Sequence, residues 1–345
     1  MNKITKSWHV FFNLSLLFII CLMPLTGCNK AKSPVTKTGV YFDTIISITL
    51  YEKASSKRID ECFLLAEKYE KMLSKTNPES DISKVNANPL EWVSVAPESM
   101  YVIEKGLEYE ALSDGKFSVM CGALTELWDI GSRDDESPLP SKEEIESAIA
   151  LCGAAHLDID EESNSLRINT KGSSLDVGAV AKGFIADEMK AYLISKGVTS
   201  GVIQLGGNVL LIGENPTKDT GLYTIGISKP FADTEKGPAS DSVITAVTNK
   251  DCSVVTSGNY QRYFKSNGKI YHHIIDLTTG YPADTGLNSA TIICEKSVDA
   301  DCLSTVCFLL GKEKSNHLLK SLNSVSNSAI DIEAIYVTSN NELSY

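Results

Sequence analysis

Past residue 39 the chain switches between two apolar rhythms, one of period two and one of three to four. Residues 43–51 alternate, with Ile46, Ile48 and Leu50 on one side, and predict a half-buried strand. Over 57–73 the rhythm changes. Ile59, Phe63, Ala66, Tyr69 and Leu73 recur at three- and four-residue steps, the stripe of an amphipathic helix. Further helices are predicted over 97–113, closed by Asp114-Gly115, and over 179–196, closed by Gly197. Another runs from Ser141, whose spacing to Glu144 is that of a capping box, to Gly153. Short β-like runs crowd the second half at 202–205, 209–212, 223–228, 243–248, 253–256, 270–275, 290–294 and 334–338. Helices at 299–310 and 312–322 separate the last two runs. Strands clustered and joined by turns predict an α+β fold with a mixed or antiparallel sheet and flanking helices, not a doubly wound one.

The first 27 residues follow a different pattern. Lys3 and Lys6 precede a largely apolar, uncharged run over 10–23, and Leu25-Thr26-Gly27-Cys28 closes it. The run is short of the about 20 residues that span a bilayer. A basic start, an apolar middle and a small-residue close read as an export signal. The tetrapeptide resembles the lipobox of bacterial lipoproteins, which implies loss of 1–27 and a lipid on Cys28. Two acyl chains anchor a protein stably where one is marginal. Residues 28–38 then read as the lipidated cysteine and a polar tether, and 39–345 as one domain. The expected location is the extracytoplasmic face of the cell membrane.

Charge narrows the partners. Residues 1–27 hold two of the 32 basic residues and no acidic one, leaving 30 against 44, a net −14. A body this acidic has no electrostatic footprint for nucleic acid. It also repels anionic ligands unless a local lysine or metal reverses the field. Of nine cysteines, Cys21 leaves with the signal and Cys28 carries lipid. The other seven sit in apolar contexts without a C-x-x-C pair, and they read as small buried hydrophobes. Only four histidines follow the signal, none at ligand spacing to a cysteine, so a zinc site is not expected.

Asp301 and Thr305 stand four apart in a helix that Asp299 would cap and Gly311 would stop, so they share one face. A carboxylate and a hydroxyl offer two hard oxygens, a donor set suited to Mg²⁺ completed by phosphate and water. The same pattern also fits a solvated first-turn carboxylate favoured by the helix dipole. Upstream, Gly178-Ala179 opens a helix after an apolar stretch, where free amides can face an anion. Lys182 adds charge one turn later and Gly183 permits close approach. The spacing is neither a Walker A loop nor a Gly-x-Gly-x-x-Gly fingerprint. Gly206-Gly207-Asn208 reads as a hairpin turn. His272 and His273, adjacent in a β-like run, face opposite ways. His273 is a candidate general base toward a hydroxyl, or else a strand histidine bonded to the next loop.

Asp43-Thr44, the 80–86 segment, Gly115-Lys116-Phe117 with Leu127-Trp128, the 175–187 segment, Gly206-Gly207-Asn208, Thr256-Ser257-Gly258, His273-Ile274-Ile275-Asp276 and Asp301 with Thr305 follow one another in an order that resembles the ApbE family. Its members are FAD:protein FMN transferases, many of them lipoproteins. The resemblance covers nearly all of 40–340. It implies Mg²⁺ on the Ala179 carbonyl, Asp301 and Thr305. It implies FAD contacts at Phe42, Lys116, Phe117, Ser118, Asp176, Lys182, His273 and Ile275. The implied reaction moves the FMN half of FAD to a Ser or Thr hydroxyl of an extracytoplasmic partner protein, forming a phosphoester and releasing AMP. A base such as His273 or an aspartate would activate that hydroxyl.

The chain departs from the family pattern in three places. The usual Gly-x-Phe-Asp-x-Thr stands as Gly115-Lys116-Phe117-Ser118-Val119-Met120, and the usual Asp-Pro as Asp276-Leu277. Several relatives carry an aromatic residue near Ser74-Lys75-Thr76-Asn77, where none is present. Two alternatives follow: a Mg²⁺-dependent FAD pyrophosphatase with water as acceptor, and a flavin-binding lipoprotein without chemistry. Intact Asp301, Thr305 and Lys182 argue against the second.

Overall fold

The computed structural model describes residues 33–345 apart from 43, 53, 54, 233–241, 327 and 329. The export signal, Cys28 and Asp43 lie outside the described residues. Numbering only the strands of the main sheet, they are β1 Val35–Tyr41, β2 Thr44–Leu50, β3 Ser200–Leu205, β4 Asn208–Gly213, β5 Ser253–Gly258, β6 Leu287–Cys294, β7 Glu333–Thr338 and β8 Leu343–Ser344. Their order in space is their order in the chain. Every neighbouring pair is antiparallel. The predicted mixed or antiparallel sheet is therefore antiparallel throughout. The helices are α1 Ser55–Leu73, α2 Asp81–Ala87, α3 Pro97–Leu112, α4 Gly122–Trp128, α5 Lys142–Ile149, α6 Gly178–Ser195, α7 Ser297–Leu310 and α8 Lys312–Val325.

Strand periodicity divides the interior in two. Alternate side chains leave opposite faces of a strand. Leu210, Val255, Ala290 and Ile292 join the larger core with α6 and α7, whereas Leu211, Val254 and Ile293 pack with Tyr223, Ile227 and Ile335. The hairpin Tyr223–Ser228 with Val243–Asn249 covers that second face. All eight residues of β6 are consequently buried.

α7 is enclosed as well, with eleven of its fourteen residues buried. It meets α6 at Gly183. A Cβ there would lie 2.4 Å from the Ser297 carbonyl oxygen and 2.6 Å from the Val298 Cα. Only glycine lets the two backbones come this close. Asp187, one turn on in α6, takes the Ser297 and Val298 amides at 2.9 Å each and so closes the start of α7.

Several boundaries differ from expectation. The tether read over 28–38 ends by Val35, because β1 is an edge strand whose exposed Thr36 and Thr38 read as polar linker. α7 begins at Ser297 after Lys296, so Asp299 is inside the helix instead of capping it. The run over 270–275 breaks into Lys269–His272 and Ile275–Asp276, each in its own hairpin. The capping box of Ser141 and Glu144 is present, on a helix ending at Ile149. Helices α2 and α4 and the small sheet of Val93–Ser94, Leu157–Asp160 and Ser165–Ile168 are too short to leave a periodic signal. Among the described residues no helix is long and apolar enough to cross a membrane.

Candidate active site

The site gathers where α6 starts. Asp176 precedes the helix and turns back on it, its Oδ1 accepting the Gly178 amide at 3.0 Å. Its Oδ2 accepts Lys75 Nζ at 2.7 Å and Thr125 Oγ1 at 3.0 Å. Burial pushes this carboxyl up, but the Lys75 charge and the surrounding donors outweigh it and hold it below its ordinary value.

Asp301 approaches the same turn from α7 and is only 4% exposed. Its Oδ2 accepts the Gly183 amide at 2.9 Å, with Lys182 Nζ at 3.7 Å. The helical repeat sets the Gly183 amide opposite the Ala179 carbonyl. Carboxylate and carbonyl therefore converge on one N–H. Lys182 Nζ also donates to the Gly178 carbonyl at 2.9 Å. Thr305, one turn along α7 from Asp301, has its hydroxyl 3.1 Å from Ser257 Oγ. Ser257 at the same time bonds Ser304 at 2.8 Å. The three residues expected to hold a metal thus lie on two helices in contact.

The donor set suits a hard divalent cation. Burial raises the Asp301 carboxyl above its ordinary pKa against the pull of Lys182 and the Gly183 amide. Only its Oδ2 is engaged by donors among the described residues. A buried carboxylate with a free oxygen is stabilised by a cation beside it. Among the described residues no three His, Cys, Asp or Glu side chains cluster as a metal site. The carbonyl, carboxylate and hydroxyl are the candidate ligands.

His273 sits between two hairpins. Its Nδ1 lies 3.2 Å from the Arg262 carbonyl oxygen. A carbonyl only accepts, so Nδ1 carries the proton and Nε2 keeps its lone pair. Burial, with the Arg262 and Lys182 charges nearby, lowers its pKa to about 3. His272 faces inward instead. It takes the Ile274 amide on Nδ1 at 3.3 Å and donates Nε2–H to the Ala283 carbonyl at 3.0 Å. Burial lowers it to about 4.

The remaining expected residues are not all at this point. Lys116 pairs with Asp276 and reaches Thr278 Oγ1 at 3.4 Å. Burial alone would raise Asp276, yet Lys116 and Thr278 bring it below its ordinary value. Phe117 is part of the main core, and Ser118 bonds Glu110, so both side chains are turned into the protein. Ile275 packs in a separate apolar cluster with Trp128. Phe42 has a positive φ of 54° and gives its amide to Glu70 Oε1 at 2.7 Å. No polar contact among the described residues ties it to α6 or α7.

Four participants were not assigned from sequence: Lys75, Thr125, Ser257 and Arg262. Ser257 was visible inside Thr256-Ser257-Gly258 without a role. Lys75 lies 101 residues from Asp176, beyond any local spacing rule. A cavity of about 630 Å³ lined by Thr245, Val247, Ile293, Leu319 and Ile335 includes none of the site residues.

The free helix-start amides expected from sequence are mostly taken: Gly178 donates to Asp176 Oδ1, and Val180 and Ala181 to the Val177 carbonyl. A buried carboxylate and a hydroxyl on α7 meet the first turn of α6 on an antiparallel α+β body, an arrangement suited to a hard cation. Comparison with known proteins narrows the class. The model of the ApbE family matches residues 42–328. A FAD:protein FMN transferase of Klebsiella pneumoniae (strain 342) is 34% identical over 300 residues, 87% of each chain. Another, of Treponema pallidum (strain Nichols), is 31% identical over 337 residues, 93% of this chain and 91% of that one. The crystal structure of the ApbE protein of Thermotoga maritima aligns with a TM-score of 0.79 at 27% identity, covering 90% of this chain and 96% of its own. The chain belongs to the ApbE family.

Proposed function

We propose that this protein is a Mg²⁺-dependent FAD:protein FMN transferase. It moves the FMN half of FAD to a Ser or Thr hydroxyl of a partner protein and releases AMP. One observation carries the reading: the Asp301 carboxylate meets the first turn of α6 at the Gly183 amide, 2.9 Å away, with Thr305 on the same face of α7. Mg²⁺ held by the Ala179 carbonyl, Asp301 and Thr305 would supply charge neutralisation to the pyrophosphate oxygens. That local charge matters on a body of net −14, which otherwise repels FAD.

The chain's own groups supply the rest. Lys182 and the Ala179 amide at the start of α6 bind and orient the phosphates. Asp176, fixed by Lys75 and Thr125, holds the entry to that helix in place. His273 presents an unprotonated Nε2 at neutral pH and takes the proton of the acceptor hydroxyl, a poor nucleophile at its own pKa. A bound pyrophosphate brings negative charge that raises the imidazole's pKa toward the working range. The lipobox-like Leu25-Thr26-Gly27-Cys28 supports a lipid anchor on Cys28 at the extracytoplasmic face, with 29–34 as the link to β1.

The test is a product analysis. The full chain in detergent is incubated with FAD, Mg²⁺ and a peptide of the Asp-Gly-x-Ser/Thr-Gly-x-Thr type. An FMN-sized mass gain with AMP supports transfer. Free FMN and AMP with an unchanged peptide would replace the reading by a pyrophosphatase, and intact FAD would leave only binding.

A further inference from the structure

Cys121 and Cys152 come from adjoining segments, with Cys121 against Asp176. The Gly153 amide donates to the Met120 carbonyl at 2.9 Å, which sets the two cysteine-bearing segments against each other. The Leu124 amide bonds the Cys121 carbonyl at 3.0 Å and also faces the Cys152 thiol. Both side chains pack on one apolar cluster, with Leu124 and Trp128. Both are half-buried, whereas the other five described cysteines are buried. Cys121 Sγ points at the Asp176 carbonyl oxygen at 3.8 Å, and Cys152 Sγ at the Ala148 carbonyl oxygen at 3.3 Å.

We propose that Cys121 and Cys152 are a redox-active thiol pair that closes to a disulfide beside Asp176. The Gly153–Met120 hydrogen bond lies one residue from each cysteine, and the Leu124 amide faces both residues, so their Cα atoms are near neighbours. A disulfide spans about 4.4–6.8 Å. The oxidant is a low-molecular-weight disulfide. One cysteine thiolate attacks it and expels one small thiol, leaving a mixed disulfide. The second cysteine then attacks that bond, forms Cys121–Cys152 and expels the other small thiol. The two protons leave with the expelled thiols, and the small disulfide takes the two electrons. Burial pushes the Cys152 thiol up to about 11 and the Cys121 thiol well above its ordinary value, so exchange is slow at neutral pH.

The bond has a consequence at the site. Cys121 heads α4, whose Thr125 hydroxyl holds Asp176 Oδ2. Closing the disulfide turns Cys121 Sγ off the Asp176 carbonyl and ties the start of α4 to residue 152. The expected loss of FAD turnover rests on the transferase reading; the disulfide itself does not.

The test treats the full chain in detergent with glutathione disulfide, alkylates free thiols with N-ethylmaleimide and maps the digested peptides by mass. We expect a peptide pair linked through Cys121 and Cys152 that dithiothreitol separates. FAD turnover should fall about tenfold with it and recover on reduction. Cys152→Ser should give no linked pair and keep its turnover under oxidant. Alkylation of both cysteines as free thiols after oxidation would overturn the pair. A linked pair with unchanged turnover would overturn its coupling to Asp176. A reduced enzyme without turnover on FAD would overturn the transferase reading while the linked pair stood.

Discussion

Gly183→Ala tests the contact on which the site is built. The added methyl would lie 2.4 Å from the Ser297 carbonyl oxygen, 2.6 Å from the Val298 Cα and 2.8 Å from the Asp301 Cβ. Two of these are backbone atoms, so no side chain can swing aside. Non-bonded atoms settle near 3.5–4.0 Å, and α6 and α7 must therefore separate by about 1 Å at this crossing. Overpacking of this kind costs about 1–3 kcal/mol. Each kcal/mol lowers Tm by roughly 2–4 °C in a domain of 150–250 residues. The same displacement stretches the 2.9 Å contact between the Gly183 amide and Asp301. A misplacement of about 1 Å costs about 100-fold in rate. We therefore expect a Tm lower by about 2–12 °C and Mg²⁺-dependent FAD turnover reduced about 100-fold, read by thermal melt and AMP release. Gly131→Ala is the control, since a Cβ there meets nothing within 4 Å. It should stay within about 0.5 kcal/mol of wild type. An unshifted melt with full turnover in Gly183→Ala would refute the close crossing.

Three further perturbations follow. Ser257→Ala removes the hydroxyl 3.1 Å from Thr305 and should raise the Mg²⁺ concentration for half-maximal turnover about tenfold; an unchanged Mg²⁺ dependence would leave Ser257 without a positioning role. His273 has a folded pKa of about 3, below the about 6.5 of an unfolded histidine, so the unfolded chain binds more protons between those values. Stability should fall as pH drops from about 6.5 toward 3, and His273→Asn should flatten that slope in urea midpoints; an identical slope would contradict the burial of the imidazole. Asp276 is depressed by Lys116 and Thr278 despite its burial, so its contribution is present above the unfolded carboxyl pKa of about 3.9 and lost as pH falls through the folded value. Lys116→Met should unfold at lower urea at neutral pH and lose less than wild type on acidification; equal acid sensitivity of the two proteins would count against the pair.

What the sequence revealed depended on how local the cause was. Ile46, Ile48 and Leu50 show their strand because one face is buried and the other is not. α7 hid its boundary because it is buried nearly all round, so burial left no stripe to end and Asp299 looked like a cap. β1 hid for the opposite reason: an edge strand carrying Thr36, Lys37 and Thr38 resembles linker. Asp301 and Thr305 were legible as a pair because their spacing is helical. The convergence of Asp301 with the Ala179 carbonyl was not, since it is made by two helices 118 residues apart in sequence at the Gly183 amide. Lys75 acts on Asp176 across 101 residues and leaves no mark in any window of sequence, whereas Arg262 reaches His273 across 11, through the hairpin that Tyr263–Ser266 makes with Lys269–His272. Phe117, placed by a motif, has its side chain in the main core.

The most direct measurement is the intact mass of the acceptor peptide after incubation with FAD and Mg²⁺, with wild-type protein beside Asp301→Ala. We predict an FMN-sized gain with AMP release from the wild type, and neither from Asp301→Ala although it still melts cooperatively. Undiminished Mg²⁺-dependent transfer by Asp301→Ala would contradict the assignment of the α6–α7 crossing as the active site.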